Sequence, residues 1–364
     1  MGRVARERSG RRQALAPLKR ALEAQARALG FCALGVARAT RLGPEGEQLR
    51  AWLAAGYHGE MAYMQRHAAV RRWPRHPGML PTAHSVVMLA WAYPQQPHID
   101  LGPGRVAKYA GGRDYHRVLG KALRCLAVTL EEAGYRSRAG VDSLPIFERA
   151  WAVRAGLGFV GKNCCLIIPG VGSHVFLGAL VTEAPLPVDR PQPSRCGSCR
   201  LCLDVCPTRA FVGPGQLDAR RCIAYLTIES RQPMPEPLRQ GVGDWLFGCD
   251  ACQDICPYNR GQRRGLDLGT LAPFKARPAL AQSTAAQWLE LDEATFDALT
   301  LGSPLRRAKR EGLAANAAIV LGNAGGPAHE TVLARASETH PSARVREHAA
   351  WARAALRRRL RRDA

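Results

Sequence analysis

Eight of the twelve cysteines lie between residues 196 and 256, and their spacing carries more chemistry than any other feature of the chain. They read Cys196-x2-Cys199-x2-Cys202-x3-Cys206-Pro207, then Cys222, then Cys249-x2-Cys252-x3-Cys256-Pro257. In runs of this kind three thiolates hold one 4Fe–4S cluster, and the fourth, just before proline, crosses to the other. Cys196, Cys199 and Cys202 then bind one cluster, which the remote Cys256 completes. Cys206 joins Cys249 and Cys252 on the second. That second cluster lacks a thiolate, and Cys222 is the only cysteine placed to supply it.

Soft thiolates also select zinc, so ligand type alone does not decide. Zinc ribbons favour separated CxxC pairs joined by a longer loop. Three cysteines at two-residue gaps, with a Cys-Pro closing each run, fit cluster cages instead. Disulfides fit poorly, because no secretion signal precedes them. Cys32, Cys125, Cys164 and Cys165 stand outside the pattern and read as small buried apolar residues.

The elements that must carry these residues follow from apolar periodicity. Residues 13–30 form an amphipathic helix ending at Gly30, followed by a strand-like run over 31–37 and a helix over 45–55. Ser85 to Tyr93 reads as a buried strand, residues 114–133 as a helix, and 135–142 as an extended piece. Pro145 opens a further helix, and Cys164–Pro169 and His174–Thr182 are strands. Strands alternating with helices argue for an α/β layered domain over residues 1–190. A two-cluster ferredoxin-like module follows over 191–265, after a Pro-rich linker. Residues 266–364 are helical, with stretches at 285–299, 304–322, 328–338 and 342–360 that pair as HEAT-like hairpins.

The formal charge of +22 points to a polyanionic partner, since each basic residue that neutralises a phosphate releases a counterion. Residues 304–364 hold thirteen Lys/Arg against five Asp/Glu, and residues 1–20 hold seven against one. An arginine-rich composition alone would also produce solvated basic faces. Arg11-Arg12 is followed too soon by Lys19-Arg20 to open an export signal. No apolar run is long enough to cross a membrane, so the expected location is cytoplasmic.

Clusters carry electrons, so an acceptor is expected in the first domain. Gly156-Leu-Gly158-Phe-Val-Gly161 imitates a dinucleotide fingerprint but follows a helix, which is the wrong context. Asp114-x-His116 followed by Gly120 imitates a cobalamin-ligand motif, with the glycine one residue late in a helical segment. Neither is accepted.

The motifs Gly111-Gly-Arg-Asp-Tyr-His116, Val141-Asp142, Glu148-Arg149-Ala150 and Arg154-Ala-Gly-Leu-Gly158-Phe-Val-Gly-Lys-Asn163 stand beside the cysteine runs. With Tyr57-His-Gly-Glu-Met61 and Cys222-Ile-Ala-Tyr-Leu-Thr-Ile-Glu229, the chain resembles the epoxyqueuosine reductases over roughly residues 15–350. The resemblance implies a cytoplasmic, cobalamin- and 4Fe–4S-dependent oxidoreductase that removes the epoxide oxygen of epoxyqueuosine in the tRNA anticodon loop, the last step of queuosine biosynthesis. It implies a monomer served by an external low-potential electron donor.

It also implies that Asp142 is the acid that protonates the departing oxygen. Such an acid must hold its proton near neutral pH, which requires burial beside an apolar surface; alternatively, Asp142 caps the helix opening at Pro145. Arg113, Tyr115, His116, Lys162, Asn163 and Gly248 are candidates to line the cobalamin pocket, and Glu229, Ser230 and Arg231 to touch tRNA. The Cys164-Cys165 pair departs from the family's usual loop. Two other readings stay open: a reductive dehalogenase-like cobalamin enzyme of a small organic substrate, and a ferredoxin-type electron carrier. The first has no need of a basic C-terminal cap. The second has no need of a 180-residue first domain (roughly) carrying these motifs.

Overall fold

The computed structural model describes residues 15–95, 97–260 and 268–363. The first segment begins with α1 (Ala16–Leu29), whose Leu22 and Ala26 face the core. It stops where Gly30 adopts a φ of 111°. There the N–H groups of Gly30 and Phe31 fold back onto the carbonyls of Arg27 and Ala26, a left-handed cap that glycine takes without strain. Next come β1 (Ala33–Arg38), β2 (Ser85–Ala92), α2 (Tyr115–Glu132), β3 (Ser137–Gly140), α3 (Glu148–Arg154) and β4 (Val175–Thr182).

The four strands form one sheet in the order β1-β2-β4-β3, antiparallel at every step. Val36 faces Val87, and Val87 faces Leu180, so like-oriented apolar side chains line up across the strands. Every residue of β2 is buried. Alternate residues explain this: Val87, Leu89 and Trp91 pack with Leu22, Leu119 and Leu126 from α1 and α2. Val86, Met88 and Ala90 point the other way, onto Trp151 and Ala152 of α3. A strand covered on both faces loses the polar alternation of a half-exposed one. Trp151 is fully buried, and truncating it to alanine is expected to cost about 3–5 kcal/mol.

Three expected elements differ in extent. The helix expected from Pro145 begins at Glu148, because residues 141–147 close into tight turns, with Asp142 at a φ of 52°. The strand expected over 164–169 shrinks to Leu166–Ile167, paired with Phe159–Val160. The helix expected over 285–299 breaks at Leu291, where Asp292 caps a second helix through the N–H of Thr295.

The segments are not independent units, since one core crosses their boundaries. Ile99–Asp100 pairs with Arg105–Val106, which pairs in parallel with Trp245–Phe247 of the cysteine-bearing segment. Ile99, Leu101, Val106, Leu246 and Phe247 then bury against Trp288, Leu313, Val320, Leu333 and Leu356. These last come largely from α5 (Lys309–Ala324), α6 (Glu330–Thr339) and α7 (Ala343–Asp363), with α4 (Ile223–Ile228) nearby. Asn316 pins the junction by donating to the carbonyls of Thr227 and Leu246. Among the described residues, no helix is long and apolar enough to cross a membrane.

Candidate active site and cluster thiols

The cysteines separate into two quartets. Burial pushes the Cys202 thiol up, and the neighbouring Cys196, Cys256 and Cys199 push it further. Burial pushes Cys249 up to about 12, with Cys222 and Cys206 adding to it. Cys222 in turn feels Cys206, and Cys252 feels Cys249 and Cys222. The partition is therefore Cys196, Cys199, Cys202 and Cys256 in an outer quartet, and Cys206, Cys222, Cys249 and Cys252 in an inner one. Cys202, Cys222, Cys249, Cys252 and Cys256 are all pushed up, and thiols gathered in this way are a donor set that a cationic, thiophilic group relieves. Among the described residues no three His, Cys, Asp or Glu side chains converge on one point as ligands of a single ion do. The four thiolates of a cubane cluster each bind a different iron, so they need no such convergence.

The outer quartet opens into a cavity of about 300 Å³ lined also by Lys162, Asn163, Arg195, Leu201 and Tyr258. Of the inner quartet, Cys222 and Cys249 pack among Ile223, Tyr225, Leu226, Val242 and Trp245. Cys222 is the N-cap residue of α4, and the backbone N–H groups of Ala224 and Tyr225 face its sulfur. Two cysteines outside the expected count lie close by. Cys165 contacts Cys252, and burial pushes the pKa of Cys164 up to about 11. Their sequence reading as small buried residues missed that proximity, which only the fold creates.

Asp142, Tyr115 and His116 do come together. The Tyr115 hydroxyl donates to Asp142 Oδ2, and His116 Nε2 lies 3.6 Å from the same oxygen. Tyr115 stacks on Phe176 with centroids 4.4 Å apart, and on its other side meets His116 at 4.2 Å. Asp114 caps α2, accepting from the His116 N–H at 3.0 Å and meeting the ring Nδ1 at 2.8 Å. That bond holds the His116 pKa above its ordinary value. The same capping role accounts for the Asp114-x-His116 sequence without any cobalt ligation.

Burial of Asp142, expected of a neutral acid, is not observed. Its side chain is 50% exposed, because the left-handed backbone of the 141–147 loop turns it outward. The more enclosed carboxyl is Glu148, half-buried at the start of α3, whose Oε1 accepts the Asp142 N–H at 2.9 Å. Burial first, and then the Asp142 charge, push the Glu148 pKa well up. Glu148, beside Asp142, therefore keeps its proton to higher pH than an ordinary glutamate. Nor does Asp142 cap a helix beginning at Pro145, since none begins there.

Sequence reasoning also missed Tyr63, Arg71 and Arg307, which surround this site from distant segments. Burial raises the Tyr63 pKa, with Glu229, Arg307, Arg71 and Asp142 all within electrostatic reach. Tyr109 joins the site to the inner quartet. Its ring lies 6.2 Å from that of Tyr115, and it flanks Gly248, the residue before Cys249. Gly248 has a φ of 71°, and a Cβ there would meet the Ala107 Cβ at 2.6 Å. Close packing of Ala107 thus requires the glycine. The wall between Asp142 and the inner thiols is aromatic, with a half-exposed acid at its edge, and such a wall suits a flat, largely apolar macrocycle.

Other candidates lie elsewhere. Lys162 Nζ donates to the carbonyls of Gly197 and Cys199 at 2.7 and 2.8 Å, and Asn163 Nδ2 to that of Cys252 at 3.2 Å. Both fasten cysteine loops and line the outer cavity instead of meeting Asp142. Ser230 is buried and donates to Glu60 Oε1 at 2.8 Å. The Arg231 guanidinium donates to the carbonyls of Ile228, Ala308 and Arg307, and Glu229 pairs with Arg307. These three tie α4 to the helical segment, with Glu229 and Arg307 facing the Asp142 cleft. Arg113 lines a separate cavity with Arg117 and Arg277.

Known proteins share this arrangement. The family model for a 4Fe-4S double cluster binding domain matches residues 195–259, and that for epoxyqueuosine reductase QueG, DUF1730, matches residues 75–143. An epoxyqueuosine reductase of Gloeobacter violaceus is 43% identical over 316 residues, covering 85% of this chain and 98% of the relative. The crystal structure of an epoxyqueuosine reductase with a tRNA-Tyr epoxyqueuosine-modified stem loop superposes with a TM-score of 0.85 at 30% identity, covering 94% of this chain and 91% of that one. A structure of the Bacillus subtilis enzyme, with its aspartate-bearing catalytic loop swung out of the active site, has a TM-score of 0.85 at 29% identity, with the same coverage. Identity of this extent over most of both chains makes the chain a member of the epoxyqueuosine reductase family.

Proposed function

We propose that this protein reduces epoxyqueuosine to queuosine in the anticodon loop of tRNA, the last step of queuosine biosynthesis, with Asp142 as the proton donor. Removing the epoxide oxygen to leave an alkene takes two electrons and two protons and yields water. Two 4Fe–4S clusters and a cobalamin supply the electrons when bound, drawn from an external low-potential donor. The outer and inner quartets would hold the clusters. Tyr109, Tyr115 and His116 would receive the corrin beside Asp142, and the C-terminal helices would form a HEAT-like cap.

The observation that carries this reading is the proton network around Asp142. An opened epoxide leaves an alkoxide, which is a poor leaving group until protonated, and a positioned acid typically contributes 10²–10⁴-fold (approximately). The Asp142 carboxyl is the half-exposed acid of the network, open to a reacting group. Tyr115 fixes its Oδ2, and the 141–147 loop fixes its direction. Glu148, with its raised pKa, stands behind it as the source that restores its proton. His116, held cationic to higher pH by Asp114, is a second source 3.6 Å away. The catalytic aspartate loop of the Bacillus subtilis relative supports the assignment of this residue type in this role.

Asp142→Asn tests the role. Turnover of epoxyqueuosine tRNA should fall by about 10²–10⁴-fold, with iron, sulfide and corrin content unchanged. Wild-type turnover in a fully loaded variant would remove Asp142 from the chemistry.

A further inference from the structure

A cavity of about 230 Å³ opens at the head of α2, walled by Arg113, Asp114, Arg117, Arg277, Leu301 and Gly302. Three of the six are guanidinium groups. The one acid, Asp114, is already engaged in capping α2 and holding His116. Among the described residues, the side chains of Arg113 and Arg117 make no hydrogen bond or ion pair. Arg277 uses Nη1 on the Leu299 carbonyl at 3.0 Å, which leaves the rest of its fork free to face the cavity. Unpaired guanidinium forks around one concavity match the oxygens of a phosphodiester. Leu301, 66% exposed at the rim, adds an apolar rest for a ribose or a base.

The cavity is pre-organised. Arg113 N–H donates to the Pro273 carbonyl at 2.9 Å, Asp114 N–H to Gly302 at 2.7 Å, and Arg277 N–H to Gly111 at 3.0 Å. Three chain segments are thereby locked around it before any ligand arrives, which lowers the ordering cost of binding. Its position matters as much as its charge. Arg113 and Arg117 bracket Tyr115 and His116, the two residues that meet Asp142. The cavity lining and the two residues that meet Asp142 therefore share the N-terminal end of α2.

We propose that this cavity binds a backbone phosphate of the RNA strand beside the nucleotide whose modified base meets Asp142. The proposal rests on the tRNA reading above and adds to it a phosphate subsite that fixes the register of the strand. The phosphodiester of a corrinoid's nucleotide tail carries the same chemistry, and the experiment separates the two.

Binding of an unmodified anticodon stem loop to the loaded protein, followed by fluorescence anisotropy across a salt series, needs no turnover. Arg117→Ala and Arg277→Ala should each weaken binding about 5–10-fold and lower the salt slope by about 0.7–0.9, the loss of one phosphate contact. Arg117→Lys should restore the slope, and Leu301→Ser should weaken binding without changing it. Corrin affinity, measured by absorbance titration, should stay at the wild-type value in all four variants. Arg117 is exposed and has no partner to lose, so its variants remain decisive even where loss of the Arg277–Leu299 bond impairs folding. Unchanged affinity and slope in Arg117→Ala would overturn the subsite, as would a loss confined to corrin binding. A wild-type protein that does not bind the stem loop would instead overturn the tRNA reading.

Discussion

The outer and inner thiol quartets differ in their surroundings. In the outer one, Cys199 is exposed, and the group opens through a cavity of about 300 Å³ edged by Arg195, Leu201 and Tyr258. Only a small apolar cluster, Phe159 and Ile167 with Cys256, backs it. Cys222 and Cys249 of the inner quartet sit in a larger apolar nest with Trp245 and Tyr225, and Gly248 and Tyr109 connect them to the Asp142 site. In the proposed function this difference sets a direction: a protein donor would meet the outer thiols, and the inner ones would serve the substrate side. Exposure and the local dielectric also tune cluster potentials, so the two positions are not interchangeable.

Removing one ligand from each quartet tests that contrast with the largest expected effect. Cys222→Ser should halve the bound iron and abolish queuosine formation with any reductant. Cys199→Ser should also halve the iron, yet a small chemical reductant that diffuses to the inner site should still support turnover, while a protein donor should not. Equal loss in both variants with both reductants would erase the distinction between entry and exit.

Protons offer a second way to sharpen the contrast between buried and open surroundings. His348 is fully buried, its Nε2 accepting the Met234 N–H at 2.9 Å while Nδ1–H donates to the Ala315 carbonyl at 3.1 Å. Burial holds its pKa down at about 4. The unfolded chain takes a proton near 6.5, so stability present above that pH is lost as pH falls toward 4, by up to about 3 kcal/mol. Urea unfolding at pH 7 and pH 4.5 should show this loss, and His348→Gln should flatten it. Glu148 acts in the opposite sense. Its raised pKa means that its contribution is full below the ordinary glutamate range and fades as pH rises through the raised value. Glu148→Gln should therefore flatten the alkaline limb of stability, and slow the replacement of the Asp142 proton at high pH.

The smallest effect concerns the outer loop alone. Lys162 donates to two carbonyls of the first cysteine run, and charged hydrogen bonds of this kind contribute about 1.5–3 kcal/mol each before solvent screening. With that screening, Lys162→Ala should speed iron release from the outer site to a chelator by roughly tenfold and leave the inner site untouched. Equal acceleration at both sites would mean that the two loops open as one.

The grouping of the eight cysteines was legible because it is written in short-range spacing, and Cys222 was added to it by counting. Helix ends marked by Gly30 and by the Asp114 cap were legible for the same local reason. What joins the segments was not. The strands at Ile99–Asp100 and Arg105–Val106 are two residues long, too short to show a period, yet they bind the first segment to Trp245–Phe247 and the helical cap. Asp142 rested on resemblance, and the expectation that it would be buried failed because a left-handed turn sets its direction. Glu148 was visible in a motif, but its role depends on a fold that brings it beneath Asp142. Tyr63 and Arg307, some 240 residues apart in sequence, meet only in three dimensions. Ser230 and Arg231 show the converse: polar residues that looked available for RNA are tied to Glu60 and the helical segment.

The most direct measurement is anaerobic incubation of protein reconstituted with iron, sulfide and cobalamin with tRNA carrying epoxyqueuosine, followed by nucleoside mass spectrometry. Loss of a single oxygen from the modified nucleoside, dependent on both quartets and on Asp142, is the expected result. An unchanged nucleoside from fully loaded, fully reduced protein would contradict it.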